Sequence, residues 1–196
     1  MRCVVVSLFV FLALMSSGSA SALEEPAYDV VQSYEDRSIE IRDYERRILA
    51  VTDMSAGPNS GFRTLAGYIF GGNEREQEIA MTVPVQSAMP NVSRKTKYES
   101  RPEMAFVVPR EFAFTDLPKP NDSRVTLRQE PAYRAAVIRF SGWVSDEKAE
   151  SHWQKLSAFL TEQGIQPVGE PTLNQYNPPW TLPFLRRNEI IVAIAQ

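Results

Sequence analysis

The sequence predicts an α+β domain: a pseudo-twofold, distorted antiparallel β-barrel or curved sheet with two helices. Three observations carry this expectation. Alternating apolar residues recur on both sides of the Pro-rich stretch Leu117–Pro120. Each side also holds one segment with apolar residues at helical spacing. The order strands, helix, strands therefore occurs twice, although the two halves share little literal sequence.

Tyr28–Gln32 reads as a short strand. Ile39–Tyr44 alternates, with Ile39 and Ile41 opposite Glu40, Arg42 and Tyr44. Arg47–Met54 places Ile48, Ala50, Thr52 and Met54 on one face, so these segments predict antiparallel strands with one wetter face. Gly57-Pro58-Asn59-Ser60 starts a helix, with Asn59 or Ser60 as cap. Phe62, Leu65, Ala66 and Ile69 continue it, and Gly71-Gly72-Asn73 ends it. Glu78–Val85 alternates through Ile79, Met81, Val83 and Val85, with Pro84 at an edge or bulge. Asn91–Pro102 is a polar loop, and Met104–Val108 is a strand.

The second half starts with strands at Arg124–Gln129 and Tyr133–Ser141. Asp146–Gln163 is the clearest helix. Ser145 caps it, and Asp146 and Glu147 favour its positive end. Its stripe is Ala149, Trp153, Leu156, Phe159 and Leu160, and Gly164 suits the C-terminal cap. Tyr176–Arg187 is a loop rich in proline and aromatic residues, followed by a terminal strand, Asn188–Ala195.

The first residues address the compartment. Met1-Arg2 is a short positive region, Cys3–Met15 is apolar, and Ala20-Ser21-Ala22 is a small-residue cleavage pattern. Residues 1–22 are therefore expected to be a signal peptide, and 23–196 the mature domain, secreted or held in the periplasm or cell envelope. The apolar run is short beside the roughly 20 residues of a membrane span. Cys3 is the only cysteine, so the mature domain has neither disulfide nor thiolate chemistry. Loss of Arg2 makes it one unit more negative than the whole chain's −3. That balance gives no general attraction to nucleic acid or anionic membranes.

Candidate chemistry is sparse, and no catalytic constellation is visible. His152 is the sole histidine and flanks the apolar stripe of the second helix. It is either an axial haem ligand beside Trp153 or a boundary histidine, and one histidine excludes His-based zinc spacing. Glu74, Glu76 and Glu78 read as a solvated loop. Trp180, after Pro178-Pro179, either covers a core edge or contacts a ligand or protein partner. Arg186 and Arg187 can meet carboxylates, including haem propionates, or pair with Glu189 or Glu170. Asn91-Val92-Ser93 and Asn121-Asp122-Ser123 are glycosylation sequons.

Several segments together resemble the SOUL haem-binding protein family. They are Ile39–Tyr44, Gly61–Asn73, Ile79–Val85 with its distinctive M-T-x-P-V, Val137–Gly142, Tyr176–Thr181 and Arg186–Ile190. The resemblance implies an α+β fold similar to regulator effector-binding domains, and non-covalent binding of haem b or another porphyrin. The expectation that follows is a carrier, scavenger or buffer and not an enzyme, the alternatives being a binding module for another hydrophobic ligand or a protein partner, and a tetrapyrrole-modifying enzyme. Carried over by position, the ligand surface beside the first helix falls on Phe62, Arg63, Ala66 and Ile69, with Arg63 as propionate partner. His152 matches no signature segment of the family.

Overall fold

The computed structural model describes residues 23–89 and 102–195. The cleavage pattern and the sequon at Asn91 lie outside the described residues. Nine strands form one antiparallel sheet: β1 (Tyr28–Tyr34), β2 (Ile39–Tyr44), β3 (Arg47–Asp53), β4 (Val85–Ala88), β5 (Glu103–Val107), β6 (Thr126–Glu130), β7 (Tyr133–Phe140), β8 (Pro167–Gln175) and β9 (Asn188–Ile194). Helix α1 (Pro58–Ile69) follows β3, and α2 (Asp146–Glu162) follows β7.

The spatial order is β1-β2-β7-β9-β8-β4-β5-β3-β6. Read outward from the β4/β8 junction, one half runs β4-β5-β3-β6 and the other β8-β9-β7-β2. The helix-bearing strands β3 and β7 occupy equivalent places, as do β4 and β8, which pair antiparallel. The pseudo-twofold relation is therefore present in the topology, with its axis at that junction.

Both faces of the sheet's central strands carry buried side chains. On the outer face α2 packs Ala149, Leu156, Phe159 and Leu160 against Ile39, Ala136, Ile138, Ile190 and Val192. Helix α1 packs Leu65, Tyr68 and Ile69 against Ala50, Met104 and Phe106. On the inner face, Leu49, Val51, Ala105 and Val107 form one cluster, and Tyr44, Ala135, Val137 and Ile191 another. The expected wetter face of β2 and β3 is thus corrected. The sheet curls into a half-barrel, so the residues opposite the helices line its own interior.

Local chemistry explains the elements. Ser145 Oγ accepts from the Lys148 amide at 3.2 Å and caps α2. Gly164, at φ +67°, turns the chain out of α2. The Gly164 amide then donates to Thr161 and the Ile165 amide to Leu160, a Schellman exit. In α1 the cap is Gly57 with Pro58 in the first turn, not Asn59 or Ser60. Proline suits that position because the first-turn amides lack helical partners anyway. At the exit, a Cβ on Gly72 would lie 2.4 Å from the Gly67 carbonyl oxygen, which restricts the site to glycine.

Two segments depart from expectation. Ile79–Val83 is not a strand; the ladder begins only at Val85. Asn73, fully buried, donates to the carbonyls of Tyr68 and Gln77, and the Ile79 amide donates to Ile69. These bonds tie the segment to the end of α1. Strand β8 was not expected, and it completes the junction between the halves.

Candidate functional site

Helix α1 rests on β3 and β5, with Gly61, Leu65, Tyr68 and Ile69 turned inward. The same 3.6-residue repeat turns Phe62, Arg63, Ala66 and the cap residue Phe70 outward or to the margin. Phe62 is 39% exposed, and its ring edge meets Phe106 at 5.4 Å. Phe70 is 62% exposed. The returning segment is bonded to the helix end through the Ile79 amide and presents Met81 to solvent. An apolar surface therefore runs along the outer side of α1.

Arg63 borders this surface. Its Nε donates to the Asn59 carbonyl at 3.3 Å, and among the described residues it has no carboxylate partner. Beside it lies a hollow of about 370 Å³, lined in part by Ser60, Arg63, Thr64, Gly67 and Arg124. Arg124 is committed to Asp122, from Nη2 at 2.6 Å, and its bonds hold the Asp122 carboxyl at about 2. Among the described residues that line this hollow, Arg63 is the cation without a carboxylate partner. Ile69 lies in the core, so of the four α1 residues expected, Phe62, Arg63 and Ala66 share the accessible side and Ile69 does not.

His152 sits elsewhere. Its helix packs on β7, β8 and β9, the other half of the sheet. The ring stacks on Phe140 at 4.1 Å and 18°. Nδ1 lies 2.8 Å from the Lys148 carbonyl, which calls for a proton on Nδ1 and leaves the lone pair on Nε2. Burial against the sheet pulls its pKa down, and Lys155 and Lys148 act in the same direction. Among the described residues no group of three His, Cys, Asp or Glu is placed to hold a metal ion. Glu74, Glu76 and Glu78 are exposed.

Trp180 covers no core: it is 83% exposed. Arg186 is consumed by its own loop. It donates from Nε to the Thr181 carbonyl at 3.0 Å and from Nη2 to the Pro179 carbonyl, and its guanidinium lies 3.7 Å over Trp143. Its role here is to hold the loop. Neither residue lies on the α1 surface.

Arg187 pairs with Glu189 as expected, and the fold adds Arg42 and Tyr176 to make one ionic cluster on the inner face. Glu189 is fully buried and accepts from Arg42 Nη1 and Nη2 at 3.0 and 3.1 Å. It also accepts from Arg187 Nε at 2.9 Å and from the Tyr176 hydroxyl at 2.7 Å. Burial alone would raise its pKa, but Arg42 and Arg187 overcome this and hold the carboxyl below the usual range. Burial beside this carboxylate pushes the Tyr176 hydroxyl up. The charges are mutually satisfied, so the cluster is structural. A second hollow of about 500 Å³ opens on the same face, floored by Leu49, Ala105, Tyr133 and Ile191.

This combination defines a two-helix, half-barrel domain with an accessible apolar surface along α1 and no assembled catalytic group among the described residues. The SOUL heme-binding protein family model matches residues 23–193, and the chain belongs to that family. Heme-binding protein 2 of Mus musculus is 29% identical over 160 residues, covering 78% of this chain and 77% of the mouse protein. Heme-binding protein 2 of Homo sapiens is 30% identical over 153 residues, covering 74% of each. Among solved structures, the C-terminal domain of EcmrR superposes with a TM-score of 0.59 at 11% identity, covering 81% of this chain and 97% of that one. A hydrolase from Listeria innocua superposes with a TM-score of 0.56 at 10% identity, covering 81% and 92%. At such identity these two likenesses concern the fold alone.

Proposed function

We propose that the domain binds haem b or a related porphyrin non-covalently on the outer side of α1. In this reading it serves as an exported carrier, scavenger or buffer and catalyses no reaction. The observation that carries the proposal is the pairing of exposed Phe62 and Phe70 and half-buried Ala66 with Arg63, which lacks a carboxylate partner among the described residues. A planar apolar body covers the aromatic residues, and a propionate meets the guanidinium at the rim. The family and the two heme-binding relatives support the ligand class. The residues fit the macrocycle and its carboxylates. His152 does not reach this face, because it lies on the other half of the sheet.

Titration with hemin, followed by absorption, tests this. The wild type is expected to show a saturable Soret change at micromolar protein. Phe62→Ser with Phe70→Ser weakens it by at least about tenfold, and Arg63→Glu also weakens it. His152→Ala leaves the band unchanged. No saturable change in the wild type refutes haem binding. Intact binding in the double variant moves the ligand to another surface, for which the inner-face hollow of about 500 Å³ is the alternative.

A further inference from the structure

The hollow beside Arg63 holds donors that the apolar side of α1 leaves unused. Its far wall is the turn at Asn121, Asp122 and Arg124, which is fastened to the end of α1. The Asn121 amide donates to the Gly72 carbonyl at 3.0 Å, the Glu74 amide to the Lys119 carbonyl at 2.9 Å, and the Tyr68 hydroxyl to the Pro118 carbonyl at 3.0 Å. Thr64 lines the near wall and is 8% exposed. A helical threonine commonly returns its hydroxyl to the carbonyl four residues back. The Thr64 hydroxyl makes no hydrogen bond among the described residues, yet it is not sealed inside the protein, so it opens into the hollow. Ser60, one turn earlier on the same side, also has a hydroxyl without a partner among the described residues. Asp122 is the carboxylate of this lining, and Arg124 binds it from Nε and Nη2. Arg63 therefore leaves the lining with an excess positive charge.

Gly67 adds an independent observation. It stands inside α1, where glycine is a poorer helix former than alanine. Its φ is not positive, and a Cβ there would meet nothing within 4 Å, so neither backbone nor packing requires glycine. It lies one turn after Arg63 on the same ridge of the helix, between the apolar side of Phe62, Ala66 and Phe70 and the hollow. The bare backbone leaves a passage across the helix beside the guanidinium.

We propose that the hollow is the carboxylate subsite of the α1 surface, receiving one propionate that crosses the helix at Gly67. The assignment rests on porphyrin binding at α1 and adds what the site selects, a free carboxylate. Arg63 flanks the propionate, and the Thr64 and Ser60 hydroxyls donate to its oxygens. Hydrogen bonds to an ionised acceptor are stronger than neutral ones, so an esterified propionate is bound less well.

The full chain is titrated with hemin and with hemin dimethyl ester, followed by absorption. The wild type is expected to bind hemin at least about tenfold tighter than the ester. Thr64→Val and Gly67→Leu are each expected to lower that ratio by about fivefold or more. Gly67→Leu also raises Tm by about 3 °C, because leucine is the better helix former and enters open space. Equal wild-type affinity for the acid and the ester overturns the subsite and leaves porphyrin binding on α1 standing. An unchanged ratio in both variants does the same. Equal weakening of acid and ester by Thr64→Val assigns that residue to packing and overturns its role as donor. No saturable change with hemin in the wild type removes the α1 reading itself, and the subsite falls with it.

Discussion

Glu189→Gln is the substitution that most directly probes how the half-barrel is held. The side chain is fully buried and accepts four hydrogen bonds, two from Arg42 and one each from Arg187 and Tyr176. Glutamine keeps the shape but removes the charge. Removing one partner of a buried pair costs about 3–5 kcal/mol, because the remaining charge stays desolvated. Arg42 retains Glu40 at 2.6 Å, and Arg187 retains Glu25, so the expected loss lies at the lower end. About 3 kcal/mol lowers Tm by roughly 10 °C in a domain of this length. Urea unfolding at neutral pH measures it. The pH dependence has a defined sign. The folded carboxyl is held below the usual range, so its contribution is complete above the unfolded value of about 4.3. It is lost as pH falls from there through the folded value, and the variant's acid limb is correspondingly flatter. A loss below about 1 kcal/mol, the scale of an exposed ion pair, would show that the buried carboxylate does not hold the half-barrel.

Two further predictions concern α2. His152 is expected to titrate below the ordinary histidine range, since burial on Phe140 and the neighbouring lysines disfavour its charged form. Its contribution to stability is complete above about pH 6.5 and falls as pH drops below that, because the unfolded chain takes the proton first. As the sole histidine it gives a single NMR titration curve, and a midpoint at or above 6.5 would contradict the stacked placement. Ser145→Ala removes the acceptor for the Lys148 amide and is expected to cost about 1 kcal/mol in thermal or urea unfolding. No change would show that the cap contributes nothing.

The periphery of the fold was legible, but its junction was not. Ile39–Tyr44 alternates in sequence and forms β2 over the same residues, and α2 carries its cap, acidic first turn and exit glycine in the sequence itself. The β4/β8 junction is different. Strand β8 contains Pro167, Gly169 and Pro171, which ordinarily argue against a strand. It survives with a bulge between Val168 and Thr172, where Gly169 takes φ +88°. The alternation through Ile79, Met81 and Val83 suggested a strand too early, because Asn73 and Ile69 hold that segment on α1 instead. Periodicity also cannot report curvature, so the burial of both sheet faces was invisible. The α1 surface was readable from spacing in part. Phe62, Arg63 and Ala66 fall on one side, while Phe70 lies at the helix exit, beyond the last residue of the apolar repeat. Arg186 looked like an anion partner because its real acceptors are backbone carbonyls of its own loop.

Paramagnetic broadening of backbone amides by bound hemin locates the porphyrin on the outer side of α1 or away from it. Broadening is expected to centre on Phe62, Arg63, Ala66 and Phe70 and to leave the loop at Trp180 and the residues around His152 sharp. Broadening centred on that loop, on His152 or on the inner face at Leu49 and Ile191 would contradict it.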